Sequence, residues 1–263
     1  MTDIHSTTDP AGAGSHIGFG IDVGGSGIKG ARVDLNTGEF VGDRIKILTP
    51  KPATPEAVAE TVAEIIRQAE WEGPVGITLP TMVVDGHAMT ANNIDKKWIG
   101  TDAHELFQRY LGGREVSILN DADAAGLGEV EFGAPEAKTG TVLLLTFGTG
   151  IGSALLYNGN LVPNSELGQL QLHGDRAEVY CSSAAKDREE LSYSKWAKRV
   201  TELLRQYEIL LNPTMMIVGG GISRKAHKWV PKLDINTPVV PAELRNRAGI
   251  VGAALAAKRG LHP

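Results

Sequence analysis

Residues 17–38 read IGFGIDVGGSGIKGARVDLNTG, and within them Gly25-Ser26-Gly27-Ile28-Lys29-Gly30 fits the dinucleotide fingerprint G-x-G-x-x-G. That fingerprint requires the loop to open a helix whose N-terminus meets a pyrophosphate, with an acid about 20 residues on for a ribose. Here the loop leads into Ile28–Asp34, a strand-like stretch. Leu35-Asn36-Thr37-Gly38 then turns the chain into a further β-rich run, Glu39 to Ile47. Asn and Gly tolerate positive φ, so this is hairpin chemistry. Asp43 comes too early for a ribose, and residues 44–55 hold no acid. No G-K-[ST] closes the loop, so it is not a Walker A either. The stretch is a glycine loop between two strands, with Gly30 inside the second.

The same design returns about half the chain later. Residues 145–159, LTFGTGIGSALLYNG, are again an apolar strand, a Gly/Thr loop, a second strand and an Asn-containing turn. Two copies imply two related halves whose loops face one another across a cleft. A third glycine loop, Gly219-Gly220-Gly221, follows the apolar run Met215–Val218 and should lead into a helix.

Between these landmarks, Thr54-Pro55-Glu56 opens a helix, with Thr as N-cap and Pro at the first position. Its apolar stripe is Val58, Val62, Ile65, Ile66 and Ala69. Val75–Leu79 and Val116–Leu119 read as short strands, and Asp102–Leu111 as a helix. A long amphipathic helix is expected over 187–211, and a Gly/Ala-rich one over 247–258.

Bulk composition narrows the class. The 263 residues carry a formal net charge of −5 with no basic arm, which argues against a nucleic-acid partner. One cysteine, Cys181, excludes internal disulfides and reads as a buried filler. Residues 1–15 lack the apolar core of a signal peptide and read as a disordered tail. No apolar run is long enough to span a membrane, so a cytoplasmic location is expected.

Glycine loops after buried strands expose consecutive N–H groups that bind anions. Any one of them could simply serve a tight strand end; three in a duplicated frame point to a phosphate chain. Asn120-Asp121 sits at a strand end, where open α/β sheets bind ligands. Asp121 suits a general base and Asn120 its orienting partner. The same pair equally suits a helix N-cap. Asn164-Ser165-Glu166-Leu167-Gly168-Gln169 is rich in groups that read sugar hydroxyls, or is a solvated turn.

IDVGGSGIKG, LNDADAA, LLTFGTGIGSALLYNG, NSELGQ and IVGGGIS, in this order, resemble the ROK-type sugar kinases of the hexokinase–actin superfamily. The finer likeness is to the bacterial polyphosphate glucokinases and glucomannokinases. It runs from about residue 17 to the C-terminus. The resemblance implies an α/β fold of two ribonuclease-H-like lobes, with a sugar and phosphate cleft between them. The boundaries expected are a tail at 1–15, a small lobe of 16–119 plus 247–263, and a large lobe of 120–246. The implied reaction is phosphoryl transfer to the 6-hydroxyl of glucose, with polyphosphate or ATP as donor and Mg²⁺ as cofactor.

Carried over by motif, Asp121 resembles the general base, and Asn120, Asp121 and Glu166 the sugar ligands. Thr81 and Asn93 fall where the small lobe would add sugar contacts. Asp22, Gly24, Gly25, Ser26, Gly27 and Lys29 resemble the first phosphate motif, and Asp22 would position Mg²⁺ through water. Thr146, Gly148, Thr149 and Gly150 resemble the second phosphate motif, and Gly219, Gly220 and Gly221 the adenosine motif.

Two departures matter. The family's cysteine-rich zinc element is replaced by HGDRAEVYCSS, so no zinc site is expected, and Glu178 would still reach the sugar. Gln169 stands where histidine is usual, which favours acceptance of mannose alongside glucose. Lys96, Lys97, Lys195, Lys198, Arg199 and Arg205 are candidates for a polyphosphate groove, although such charges also suit a solvated face. An ATP-only hexose kinase and a non-catalytic sugar sensor are the alternatives. The sensor is disfavoured by the intact Asn120-Asp121 pair and by the lack of a helix-turn-helix before the first strand. A homodimer is left open.

Overall fold

The structure is a computed structural model that describes residues 16–91 and 94–262. The opening stretch forms a meander of β1 (Ile17–Val23), β2 (Ile28–Asp34) and β3 (Glu39–Ile47). β1 and β2 pair antiparallel from Ile17↔Asp34 to Val23↔Ile28, so Gly24–Gly27 is the whole connection. Gly30 lies within β2, where a Cβ would stand 2.6 Å from Ile65 Cγ2. Its glycine serves packing, and the match to the dinucleotide fingerprint is accidental.

The chain continues through α1 (Pro55–Gln68), whose Thr54 cap accepts the Ala57 N–H and whose Val58, Val62, Ile65 and Ile66 are buried. Next come β4 (Val75–Leu79), a small hairpin of β5 (Val83–Val84) and β6 (His87–Ala88), α2 (Ala103–Tyr110) and β7 (Val116–Asn120). The first sheet has the order β3-β2-β1-β4-β7, with β1, β4 and β7 parallel. From the last residue of β7 the chain turns directly into α3 (Asp121–Phe132).

The second half repeats the plan. β8 (Thr141–Phe147), β9 (Ile151–Tyr157) and β10 (Asn160–Val162) form a meander. A short hairpin of β11 (Gln171–Leu172) and β12 (Asp175–Arg176) follows, then α4 (Ala177–Cys181), α5 (Ser183–Arg188) and α6 (Tyr193–Leu211). β13 (Met215–Gly219) and β14 (Val239–Pro241) complete a sheet ordered β10-β9-β8-β13-β14, the same topology as the first. The duplication read from the two glycine loops is therefore a duplication of whole sheets.

α7 (Ala248–Arg259) closes the chain and joins the halves. A Cβ on Gly76 of β4 would lie 1.8 Å from Ala253 O, and one on Gly252 of α7 1.7 Å from Ala124 O of α3. Backbone meets backbone at both places, which only glycine permits. α7 is thereby wedged between the first sheet and α3.

Two expectations need correction. The helix read over 187–211 is two helices, α5 and α6, separated where Glu190 takes φ of 51° and Ser192 caps the Lys195 N–H. The third glycine loop runs into 3₁₀ turns over Gly221–Lys228, not into a regular α-helix. The hairpins β5–β6 and β11–β12, two residues per strand, are too short to show a period in sequence. Cys181 is buried as a filler, with burial pushing its thiol up to about 12. The tail 1–15 and Asn93 lie outside the described residues. Among the described residues, no helix is long and apolar enough to cross a membrane.

Candidate active site

The site forms at the carboxyl ends of the parallel strands, where α3 begins. Asn120 caps α3: its Oδ1 accepts the N–H groups of Ala122 at 2.8 Å and Asp123 at 3.4 Å. Its Nδ2 donates to Thr81 O at 3.0 Å. Both readings of this residue thus meet in one geometry. The cap consumes the amide oxygen, leaving one N–H for a ligand, and it sets Asp121 as the first helical residue.

The Asp121 carboxyl is pushed up to about 6. Desolvation by the surrounding walls is the main cause, followed by the nearby charges of Asp22 and then Glu166, while the Ala122 N–H at the helix start opposes them. A carboxylate with that value is ionised at neutral pH yet basic enough to take a hydroxyl proton. The residue remains open to the cleft.

On the facing side stands the segment after β10. Gln169 Nε2 donates to Glu178 Oε1 at 3.1 Å, and Arg176 Nη1 donates to the same oxygen at 2.8 Å. The other Glu178 oxygen accepts the Ile151 N–H at 3.4 Å, and a Cβ on Gly150 would lie 2.3 Å from it. Glu178 therefore ties the 166–169 segment to the second glycine loop. Glu166 is exposed to the cleft, and its carboxyl is raised by partial burial and by Glu178.

Thr81 does not offer a hydroxyl to a ligand. It is 3% exposed, and its Oγ1 donates to Thr90 O at 2.5 Å and accepts the Thr90 N–H at 3.1 Å. Its contribution is the carbonyl that holds Asn120.

The glycine loops differ in detail from a simple cradle. Gly24 N–H closes its own turn on Gly27 O at 3.3 Å, and Gly148 N–H does the same on Gly150 O at 2.9 Å. Gly25, Ser26 and Thr149 lie exposed at the tips, with N–H groups that take no partner among the described residues. Thr146, next to last in β8, is half-buried, its Oγ1 2.6 Å from where a Cβ of Gly152 would stand. Lys29 Nζ pairs with Asp22 Oδ2 at 2.9 Å, and Thr78 Oγ1 donates to Asp22 Oδ1 at 3.2 Å. Gly219 is the buried end of β13, and Gly221 is exposed just beyond. Between them Gly220, at φ of 81°, packs against Phe147 O, so the third loop abuts the strand that feeds the second.

Of the basic candidates, Arg199 is engaged by Glu189 at 2.5 Å and Tyr180 O at 3.2 Å, and Arg205 by Asp234. Neither is free for a polyanion. Lys96, Lys97, Lys195 and Lys198 are exposed.

Sequence reasoning missed Asp123. It is 1% exposed, its Oδ2 accepts the Asn164 N–H at 2.9 Å, and its Oδ1 has no partner among the described residues. Burial first, then Glu166 and Asp121, push its carboxyl up to about 7. Its position near a helix start reads as ordinary capping chemistry; only tertiary packing buries it.

The ROK family model matches residues 18–183. The polyphosphate glucokinase of Mycobacterium tuberculosis (strain CDC 1551 / Oshkosh) is 54% identical over 255 residues, covering 97% of this chain and 96% of that protein. The crystal structure of inorganic polyphosphate/ATP-glucomannokinase from Arthrobacter sp. strain KM superposes with a TM-score of 0.86 at 44% identity, over 94% of this chain and 100% of that one. A ROK family glucokinase from Streptomyces griseus, in complex with glucose and AMPPNP, superposes with a TM-score of 0.75 over 93% of this chain and 100% of its own. At 24% identity it speaks for the fold alone. The two-lobed α/β fold with a cleft between duplicated sheets is the fold these kinases share.

Proposed function

The chain belongs to the ROK family, and from that premise we propose that it transfers a phosphoryl group from inorganic polyphosphate or ATP to the 6-hydroxyl of glucose, with Asp121 as general base. The observation that carries this is the placement of Asp121. It stands at the start of α3, between Asp22 beside the first glycine loop and Glu166 on the sugar side, with a carboxyl value near 6.

In-line transfer asks the protein for positioning and charge stabilisation more than for covalent chemistry. Asp121 takes the proton of the attacking hydroxyl, while the tip N–H groups of Gly25, Ser26 and Thr149 face the phosphates being parted. Asn120, Glu166 and Glu178 orient the sugar, with Gln169 held beside Glu178 by its amide.

The donor set fits a divalent cation. Asp22 is near enough for its charge to be felt at Asp121, and Mg²⁺ commonly uses one or two carboxylates plus substrate phosphates. Asp22 would hold Mg²⁺ through water, where the ion would offset phosphate charge. The reading extends to mannose, because Gln169 offers an amide where a more rigid ligand would discriminate, and to a cytoplasmic setting.

The deciding assay supplies purified protein with glucose, Mg²⁺ and long-chain polyphosphate, free of nucleotide, and measures glucose 6-phosphate. Product is expected. Its absence, with activity on ATP retained, would leave an ATP-only kinase.

A further inference from the structure

One row of residues crosses the first sheet at the level of the glycine loop. Thr78 of β4 is in register with Asp22 of β1, Asp22 with Lys29 of β2, and Lys29 with Lys46 of β3. Partners in register share a face of the sheet, so the row leads from the catalytic cleft out to the sheet edge. Asp22 neutralises Lys29 at 2.9 Å, but Lys46 has no acidic partner among the described residues. Two like charges directly opposite on antiparallel strands disfavour one another. With Lys29 held by Asp22, Lys46 is the exposed charge at the outer end of the row, available to an anion.

Lys46 also lies along the loop itself: a Cβ on Gly27 would stand 2.8 Å from Lys46 Cε. Beside it opens a recess of about 240 Å³, lined by Gly24, Gly25, Thr49, Lys51, Ile94 and Asp95 among others. Thr49 Oγ1 donates to Gly24 O at 2.5 Å, which fastens the far wall of the recess to the loop. Lys51 is exposed on that wall and likewise unpaired among the described residues. Asp95 is the acid on this lining, and its Oδ1 is engaged by the Lys97 N–H at 2.9 Å.

We propose that Lys46 and Lys51 form a subsite on the small lobe for the distal phosphates of a polyphosphate donor, a subsite that ATP does not use. The inference rests on the donor reading above. A nucleoside triphosphate ends in a nucleoside, for which the Gly219–Gly221 loop on the second sheet is the candidate seat. A polyphosphate has no nucleoside and carries its charge along its whole length. Beyond the reacting phosphates its tail needs cations, and Lys46 of β3 and Lys51 just after it flank the first loop with no acidic partner among the described residues, on the first sheet rather than the second.

The test compares KM for long-chain polyphosphate and for ATP, at saturating glucose, in the wild type, Lys46→Ala, Lys51→Ala, the double variant and Asp95→Asn. Each lysine change is expected to raise KM for polyphosphate by about five-fold, as the loss of an exposed charge pair implies. The double variant should also lose part of the salt dependence of that KM. Asp95→Asn should lower it. ATP kinetics, which also report that the variants are folded, should stay within about two-fold of wild type. Equal rises with both donors would overturn the subsite, as would an unchanged polyphosphate KM in the double variant. A wild type inert with polyphosphate would remove the donor reading itself, before any variant is compared.

Discussion

The side chain of Asn164 pairs with the backbone of Val83 as a strand neighbour would, its Oδ1 accepting the Val83 N–H at 3.1 Å and its Nδ2 donating to Val83 O at 2.6 Å. The Asn164 N–H is itself held by buried Asp123. One residue thus fastens the β5 hairpin of the first half to the 164–169 segment of the second. Asn164→Gly keeps the positive φ of 59° available and removes both bonds. It should cost about 1–3 kcal/mol of stability and raise KM for glucose more than KM for the donor. Urea unfolding and steady-state kinetics together check this; an unchanged glucose KM would show the clasp to be merely structural.

Asp121→Asn should lower kcat by about three orders of magnitude while glucose binding, read by calorimetry, persists. Near-normal turnover would remove Asp121 from the role of base.

Asp121 acts as a base only when ionised, so kcat should fall as pH drops through about 6, by about ten-fold per pH unit below it. A pH–rate profile flat from 5 to 8 would contradict the assignment.

Asp123 sets a pH dependence of stability. Its folded value of about 7 lies above the ordinary carboxylate value, so the folded state holds the proton more tightly than the unfolded chain. Its contribution is fully present below about pH 4 and is lost as pH rises through 7. Asp123→Asn keeps an acceptor for the Asn164 N–H and should flatten that decline. Urea midpoints at pH 5 and pH 8, in wild type and variant, measure it.

Glycines divide by what surrounds them. Gly76→Ala drives a methyl to 1.8 Å from Ala253 O and should destabilise by more than about 3 kcal/mol, because backbone cannot yield as a flexible side chain can. Around Gly25 a Cβ would meet nothing within 4 Å, so Gly25→Ala should leave Tm unchanged and raise KM for the donor. Equal Tm shifts in the two variants would erase the distinction between packing and site glycines.

Much of this was legible from local pattern. The hairpin after Gly27 identified the first loop, its echo at residues 145–159 announced the second sheet, and Asn120-Asp121 marked the strand-to-helix turn at the end of β7. These signals are short-range: a turn residue, an alternation of two, a cap. The break at Glu190 and the two-residue hairpins left no such periodic trace.

What the sequence by itself determined was the principal strands and helices, their duplication and the chemistry available at each strand end. What only the tertiary structure decided was which of those groups remain free. Thr81 turned inward to its neighbour Thr90, Arg199 and Arg205 were taken by Glu189 and Asp234, and Asp123 was buried, while Lys46 at a sheet edge has no acidic partner among the described residues. The reason is physical. A side chain's type fixes what it can bind, but its charge state and availability depend on partners brought from distant parts of the chain and on how much water the packing excludes.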